Sequence, residues 1–363
     1  MKHVLRIASL GVFIPPSADH TNLLGTTLHT GYRQLLDAAG SRSRPPTVRR
    51  GGTLILGERY SAPTAAAEKE RSSELASRAV GDVLTAEPST APHVRSILHA
   101  QCSLDQQVLG SACLRVEHDH FRHAKRAMSI GQLGTAGVPT VFQLAAMDTR
   151  AGHLACVSAS DKWIAPFFRR VPGLATYADA SAASIVAANG LVAAPIAEVE
   201  DLVASCRPPG HDLWTAPAPQ QLEHVRAHAE QCIHQLLSRH PDVERAALSL
   251  AGDTFEQDLN TRLAEASGIG GVLEAPVPGI HLSSASPLVA LRSAIAQAVK
   301  AGTSRRVVIW TASPAGHAGA MLVRCAPDAV ATPTGWTSRL SFPSTADHGG
   351  VAHAGQAISG SVS

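Results

Sequence analysis

The amino-acid sequence predicts an α/β fold made of two similar halves. Short apolar segments typical of buried strands alternate with longer segments of helical periodicity along residues 4–323. A proline-containing linker at residues 208–219 separates two stretches that repeat this alternation. The length of 363 residues is enough for two core-forming units.

The first half is assigned to residues 1–205. Its opening segment, residues 4–14, is β-rich and closes with two prolines. The predicted strands of this half cover residues 4–14, 54–56, 96–100, 127–130, 154–158 and 180–188. The predicted helices cover residues 20–39, 65–84, 111–116 and 138–147.

The second half is assigned to residues 220–325, and it repeats the strand–helix order of the first. Its predicted helices cover residues 222–240, 255–267 and 287–300. Its predicted strands cover residues 246–250, 307–310 and 320–323. Residues 326–363 are rich in Ser, Gly, Ala and Thr and are interpreted as a loosely held tail.

Composition excludes several classes of function. The 31 basic and 29 acidic residues are spread without a basic block, so nucleic acid is a poor partner. No long apolar run follows the N-terminus or occurs later, so neither a signal peptide nor a membrane span is predicted, and the cytoplasm is the expected compartment. The six cysteines form no CxxC pair, and no His/Cys cluster has metal-ligand spacing, so neither a metal site nor a disulfide framework is predicted.

The turn at residues 129–137 is the most informative segment. It joins a short apolar strand to an apolar helix and places Thr135 at the start of that helix. Backbone N–H groups and the helix dipole favour negative charge at such a position, which suits a nucleophile. A threonine there is also a common helix N-cap, so a purely structural role is an equal alternative.

Six separated segments carry a resemblance to a known family. They are residues 6–15 (RIASLGVFIP), 57–59 (GER), 135–137 (TAG), 177–182 (YADASA), 282–286 (LSSAS) and 314–320 (PAGHAGA). In this order they resemble the β-ketoacyl synthase III-type members of the thiolase superfamily. The resemblance implies a five-layered αβαβα fold of two similar halves, with the active site between them.

The resemblance also indicates where the family's Cys, His and Asn should lie. They fall on Thr135, near Asp253 and on His281, so all three residue types are changed. A hydroxyl needs a general base to become a nucleophile. We therefore expect His281 to activate Thr135, with Asp253 orienting the imidazole, as in a Ser-His-Asp arrangement. The structural alternatives are a satisfied buried histidine and an aspartate that caps the next helix.

The predicted function is acyl transfer in secondary metabolism, from acyl-CoA or an acyl carrier protein to a small acceptor or carrier protein, without a bound cofactor. Arg169 and Arg170 lie where family members contact the nucleotide of coenzyme A, and adjacent arginines suit phosphate. Asp179 is expected to hold a turn. The main alternative is a non-catalytic thiolase-fold subunit that supports an active partner, and a retained condensing activity is a third. The resemblance implies a homodimer or a heterodimer with another such subunit.

Overall fold

The computed structural model describes most of both halves. The described residues are 5–15, 70–103, 111–149, 152–163, 170–171, 173–188, 191–210, 216–275 and 277–329, with the short extended pairs 17–18, 49–50, 53–54 and 64–65. The predicted helix at 20–39 and nearly all of the predicted tail lie outside them.

In the described part of the chain, each half contributes five strands to the main sheet and has three helices. Those of the first half are β1 (Leu5–Phe13), α1 (Ser72–Ala86), β2 (Val94–Gln101), α2 (Ala112–His120), β3 (Arg126–Gly131), α3 (Gly137–Asp148), β4 (Leu154–Asp161) and β5 (Ala180–Ala188). Those of the second half are β6 (Ala197–Cys206), α4 (Ala218–Ser238), β7 (Ser249–Gly252), α5 (Leu259–Ser267), β8 (Gly271–Val272), α6 (Ser286–Ala301), β9 (Arg305–Ser313) and β10 (His317–Cys325).

The strand order shows an internal repeat. The ten strands form one sheet in the order β8-β7-β9-β10-β6-β1-β5-β4-β2-β3. In each half the first strand is antiparallel to the fifth and the fifth to the fourth, while the fourth is parallel to the second and the second to the third. The halves meet where β1 pairs with β6 over three residues.

Among the described residues, three hydrophobic cores lie between the layers of this fold. The central core lies between the two half-sheets and contains α3 and α6, with Phe142 and Leu291 among its fully buried side chains. A second core packs α4 and α5 on the outer face of the second half, and a third packs α1 and α2 on the first. The predicted αβαβα arrangement of two similar halves is therefore confirmed.

The sequence predicts no strand at residues 197–206, where the structure has β6, because acidic residues interrupt this segment. Glu198 and Glu200 interrupt the apolar pattern of residues 197–206. In the folded chain Glu198 pairs with Arg6 and Arg324, and Glu200 pairs with Arg324 and Arg306, so arginines on β1, β10 and β9 neutralise these acidic residues. The repeat starts the second half at β6, whereas the sequence interpretation extended the first half to residue 205.

Two helices begin later than their apolar periodicity predicts. The predicted helix at 65–84 starts at Ser72, because the Glu74 side chain accepts the N–H of Arg71 and closes the first turn there. The predicted helix at 255–267 starts at Leu259, because Asp258 is its N-cap and accepts the N–H of Thr261 at 3.1 Å. Asp253 is therefore not the cap of this helix.

Candidate active site

Two equivalent 3-10 turns approach each other where the halves meet. One turn, Gly134–Ala136, precedes α3, and the other, Ser283–Ala285, precedes α6. The repeat makes Thr135 and Ser284 the middle residues of equivalent turns. Ser283 has a φ of +50° and Gln132 has a φ of +65°, a left-handed conformation that is rare outside glycine and is often retained at functional sites.

Gly134 lets the first turn lie against the end of β9. Its φ is +57°, and a Cβ at this position would come within 2.6 Å of the Cβ of Ser313. Only glycine meets both conditions without strain. The close approach carries Thr135 into the second half, where its side chain reaches Asp253.

Asp253 is buried directly after β7 and accepts the hydroxyl hydrogen of Thr135. The distance from Thr135 Oγ1 to Asp253 Oδ2 is 2.6 Å. The same oxygen accepts the hydroxyl of Thr311 at 2.9 Å and the N–H of Ala312 at 3.0 Å. The other oxygen, Oδ1, is buried without a hydrogen-bond partner in the described part of the chain. Asp253 therefore joins the turn Gly134–Ala136 to β9 through hydrogen bonds.

Burial raises the pKa of Asp253 to about 7, against the opposing effect of its hydrogen-bond donors. The carboxylate is held by three donors on one oxygen, which stabilise the charged form, while the missing solvation disfavours it. A carboxyl group with this pKa changes its protonation state close to neutral pH. It suits proton transfer to and from a hydroxyl that already donates to it.

The position of His281 is fixed by backbone contacts on both sides. Its N–H donates to the carbonyl of Thr176 at 2.8 Å, and its carbonyl accepts the N–H of Ala178 at 3.0 Å. The backbone N–H of Ser283 donates to the ring nitrogen Nδ1 at 3.0 Å. Because a backbone N–H is always a donor, Nδ1 carries no hydrogen, and the neutral ring carries its hydrogen on Nε2.

Burial lowers the pKa of His281 to about 3, so the ring is neutral at physiological pH. Aromatic rings account for much of this burial: Tyr177 lies 4.9 Å and Phe255 5.1 Å from the imidazole, centroid to centroid. Nε2 is 4.0 Å from Asp253 Oδ2, beyond hydrogen-bonding distance. The Nε2–H group of His281 therefore lines the site and has no hydrogen-bond acceptor among the described residues.

The three predicted catalytic residues come together, but in a different order from the one expected. Thr135 is bonded to Asp253 directly, and no described contact joins its hydroxyl to the ring of His281. The expected order placed His281 between the other two. Nor is Thr135 an N-cap, because α3 begins two residues later and the hydroxyl donates to a carboxylate instead of accepting a backbone N–H.

A cavity of about 190 Å³ opens beside these residues. Its described lining consists of Cys102, Gln132, Gly134, Thr135, Trp163, Tyr177, His281, Ser283, Ala312, Ser313, Pro314 and Ala315. None of these side chains carries a formal charge at neutral pH. The cavity therefore suits an uncharged group of modest size, with one hydroxyl and one imidazole N–H at hand.

Comparison with solved structures identifies the fold. The acyltransferase ChlB3 aligns over 89% of this chain and 98% of its own length, with a TM-score of 0.64 and 14% identity. AbyA1, a tetronic acid condensing enzyme, aligns over 88% and 99% with a TM-score of 0.61 and 15% identity. The 3-oxoacyl-(acyl carrier protein) synthase III FabH of Xanthomonas oryzae pv. oryzae aligns over 88% and 98% with a TM-score of 0.61 and 13% identity. The chain has the thiolase-like fold of synthase III enzymes.

The likeness to these proteins rests on three-dimensional structure. No protein-family model matches the sequence, and no curated protein matches it. Identities of 13–15% are too low to carry over a substrate or a mechanism, so both must be argued from the site itself. Within this thiolase-like fold the described residues include no helix long and apolar enough to span a membrane, and no group of three or more potential metal ligands.

Cys102 lines the cavity, whereas the sequence places it only among six scattered thiols with no role at the site. It directly follows β2, as Asp253 directly follows β7, so the thiolase-type repeat makes the two residues equivalent. Its thiol lies 3.1 Å from the hydroxyl of Ser284. Burial, together with the nearby Asp161, raises the pKa of this thiol well above its usual value. Cys102 and Asp253 each stand directly after the second strand of their half, and this shared position is the sequence signal that could have revealed their equivalence.

The predicted nucleotide contact lies mostly outside the described residues. Arg169 is not described, and only the backbone of Arg170 is, in a two-residue strand that pairs with Ala175–Thr176. The expected role of these arginines therefore remains a prediction. Asp179 is described, and it accepts the N–H of Trp163 at 2.8 Å, as expected of a residue that holds a turn.

Proposed function

We propose that this protein is an acyltransferase that uses Thr135 as its nucleophile and Asp253 as its general base. The observation that carries the proposal is the 2.6 Å hydrogen bond from the Thr135 hydroxyl to a buried carboxylate whose pKa is raised to about 7. A hydroxyl becomes nucleophilic when a base within hydrogen-bonding reach takes its proton. The likeness to acyltransferases and condensing enzymes supports this general class.

The reaction proceeds in two balanced steps. Thr135 Oγ1 attacks the carbonyl carbon of an acyl thioester and gives its proton to Asp253. The carbon–sulfur bond then breaks, and the leaving thiolate takes up that proton, which leaves an acyl ester on Thr135. In the second step the hydroxyl or amine of the acceptor attacks the ester and gives its proton to Asp253, which returns it to Thr135 as the ester bond breaks.

His281 has the role of oxyanion donor in this mechanism, and not of base. Its Nδ1 accepts the Ser283 N–H, so only Nε2–H faces the reacting group. A neutral imidazole can donate this hydrogen to the oxygen that becomes negative in each tetrahedral intermediate. The amide of Gly316 does not add a second donor, because it is bonded to the carbonyl of Ser313 within its own turn.

The donor is an acyl-CoA or an acyl carrier protein, and the acceptor is a small molecule or a carrier protein in secondary metabolism. The likeness to ChlB3, an acyltransferase, and to AbyA1, a tetronic acid condensing enzyme, supports the general class of reaction, and this donor and acceptor are part of the proposal. Under this proposal no bound cofactor takes part. If Arg169 and Arg170 contact the nucleotide of coenzyme A, replacing both by Ala should raise the KM for acyl-CoA and leave kcat nearly unchanged.

The proposed partner in the assembly is a second copy of this chain or another thiolase-fold subunit. Strand β3 is the last strand on its side of the ten-stranded sheet, and one edge of its backbone is unpaired among the described residues. Met128 on this strand is 42% exposed, and Met147 on the adjacent α3 is 65% exposed. Unpaired edges with apolar side chains favour strand addition. Light scattering of the wild type and of Met128→Lys tests this association.

The acylation experiment tests the proposed function. Incubation with acetyl-CoA or a longer acyl-CoA should add one acyl group to the intact mass of the protein, and peptide mapping should place it on Thr135. Thr135→Ala and Asp253→Asn should abolish the adduct. Thr140→Ala is the matched control, since its hydroxyl donates to the carbonyl of Ala136 one turn earlier in the chain. An adduct that persists in Thr135→Ala would contradict the proposal.

A non-catalytic subunit is the second candidate, and one observation favours it. Asp253 ties Thr135, Thr311 and Ala312 together, so the same contacts can serve only to hold the two halves. A subunit of this kind forms no acyl adduct and restores activity to a separate thiolase-fold partner. Homogeneous protein that turns over acyl-CoA with a small acceptor would eliminate this alternative.

A further inference from the structure

Asp161 is a buried carboxylate that bridges the two halves next to the cavity. It is the last residue of β4 and is fully buried. Its Oδ1 accepts the N–H of Cys102 at 2.7 Å, the N–H of Ser103 at 2.7 Å and the hydroxyl of Ser103 at 2.9 Å. Its Oδ2 accepts the N–H of Ser284 at 2.8 Å. Four donors thus compensate a charge that would otherwise be costly to bury.

The two segments that Asp161 holds are both walls of the cavity. Cys102 lines the cavity from the first half. Ser284 is the middle residue of the turn Ser283–Ala285 in the second half, and Ser283 lines the cavity beside it. A single side chain therefore sets the distance between a wall from one half and a wall from the other.

The turn that Asp161 holds is strained and needs external support. Ser283 has a φ of +50°, which costs on the order of 1 kcal/mol or more for a residue other than glycine. Four side-chain contacts act on this turn among the described residues: Asp161 accepts the Ser284 N–H, Trp163 Nε1 donates to Ser283 Oγ at 2.8 Å, the Ser283 N–H donates to His281 Nδ1, and the Cys102 thiol lies 3.1 Å from the Ser284 hydroxyl. Without the first contact the Ser283 N–H is free to turn away from the imidazole.

We propose that Asp161 is a positioning residue for His281. By holding the Ser284 N–H it fixes the turn Ser283–Ala285, and through the Ser283 N–H it keeps the hydrogen of the imidazole on Nε2, where it faces the cavity. This inference rests on the proposed function, in which the His281 Nε2–H holds the oxyanion. Asp161 itself touches neither the substrate nor the reacting atoms.

The tautomer of His281 is a readout that a merely structural role would not change. We expect nitrogen NMR of histidine-labelled protein to show His281 with a hydrogen only on Nε2 and a hydrogen-bonded Nδ1 between pH 6 and 9. A difference spectrum against His281→Gln assigns these signals. In Asp161→Asn the Nδ1 signal should lose its hydrogen-bond shift, and a fraction with the hydrogen on Nδ1 should appear.

Activity and a matched control complete the experiment. Misplacement of the donor should lower kcat of Asp161→Asn about tenfold or more, with a smaller change in KM. Ser103→Ala removes one partner of the same carboxylate without touching the turn, so its tautomer and kcat should match the wild type. Asp161→Ser, whose shorter side chain no longer reaches the Ser284 N–H and which adds no amide, replaces Asp161→Asn if the latter does not fold.

Two outcomes would overturn the proposal. One is a folded Asp161→Asn or Asp161→Ser variant with the wild-type tautomer and kcat. The other is wild-type protein with the hydrogen on Nδ1, which requires no variant. Failure of the proposed function is a separate result: wild-type protein without an acyl adduct refutes acyl transfer, whereas the tautomer measurement still tests the link from Asp161 to His281.

Discussion

The thiol of Cys102 and the hydroxyl of Ser284 lie 3.1 Å apart, in the positions that the internal repeat makes equivalent to Asp253 and Thr135. Cys102 and Asp253 each follow the second strand of their half, and Ser284 and Thr135 each occupy the middle of a 3-10 turn. The fold thus presents two similar pairs to one cavity region. Only one of them pairs a hydroxyl with a carboxylate.

The two pairs differ in their capacity to move a proton. Burial and the neighbouring Asp161 raise the pKa of the Cys102 thiol well above its usual value, so its thiolate is scarce near pH 7. Burial raises the pKa of Asp253 to about 7, so this carboxyl group changes its protonation state close to neutral pH. Of the two equivalent pairs, only Thr135 and Asp253 are therefore suited to the proposed proton transfer near neutral pH.

Acylation of Thr135 should accelerate with rising pH, with a midpoint near pH 7, because Asp253 must be ionised to accept the proton. Thr311→Val removes a donor that stabilises the ionised carboxylate at 2.9 Å, so it should move the midpoint to higher pH. The rate of adduct formation measured by mass between pH 5 and 9 checks both statements. A flat profile in the wild type would contradict the assignment of Asp253 as base.

Thr135→Ala should destabilise the protein more at pH 8 than at pH 5. At pH 8 the variant loses a hydrogen bond to an ionised buried carboxylate, a loss on the order of 1.5–3 kcal/mol. At pH 5 the carboxyl group is neutral, since its pKa is about 7, and the lost bond is weaker. Urea unfolding at the two pH values measures the difference.

Thr135→Ser is the control for this comparison. Serine keeps the hydroxyl and loses one buried methyl group, which costs about 1 kcal/mol at either pH. It should also form the acyl ester faster than the wild type, because the β-methyl group no longer hinders attack. Equal losses for Thr135→Ala at both pH values would show that its hydroxyl is not bonded to an ionised Asp253.

The fold class was predictable from the sequence, because apolar periodicity survives wherever a strand or helix is buried on its expected face. Residues 180–188 show this directly: the predicted strand and the observed β5 have the same bounds. Strand β6 was not predictable in this way, because Glu198 and Glu200 are neutralised only by arginines that are distant in sequence. A pattern within one segment carries no information about such partners.

The same distinction applies to the site. Thr135, His281 and Asp253 could be found because each has a recognisable place in a motif, and the structure brings them together. Their order could not be found, because it depends on the Ser283 N–H that occupies His281 Nδ1. A hydrogen bond from a backbone group leaves no trace in residue types. The orienting role of Asp161 is hidden for the same reason, since three of its four donors are backbone N–H groups.

Gly134→Ala should destabilise the turn that carries Thr135. The glycine has a φ of +57°, and a Cβ would lie 2.6 Å from the Cβ of Ser313, so alanine adds backbone strain and a steric clash. The expected loss is about 2–4 kcal/mol from the two effects together. Acylation of Thr135 should also fall, because the turn must shift away from Asp253.

A double-mutant cycle separates the two causes of that loss. Ser313→Gly removes the side chain that the new Cβ would meet but leaves the positive φ of residue 134 unchanged. The double variant should therefore recover part of the stability that Gly134→Ala loses, which gives a coupling free energy on the order of 1 kcal/mol or more. Strictly additive losses in urea unfolding would show that the contact with Ser313 does not limit residue 134.

His99→Gln should make the stability of the protein less sensitive to acid. His99 is fully buried in β2 between the hydroxyls of Ser158, at 2.9 Å, and Ser160, at 3.3 Å, and burial lowers its pKa to about 3. In the unfolded chain a histidine takes up a proton below about pH 6.5, whereas His99 in the folded chain does not until pH 3. The stabilising contribution of the neutral His99 ring to the folded state is therefore present above pH 6.5 and is lost as the pH falls.

Between pH 8 and pH 5 the wild type should lose about 2 kcal/mol of stability through His99. The free energy of unfolding of His99→Gln should therefore change by about 2 kcal/mol less than that of the wild type over this interval. Urea unfolding of both proteins at the two pH values provides the measurement, and equal pH dependence would mean that His99 is protonated in the folded state as readily as in the unfolded chain.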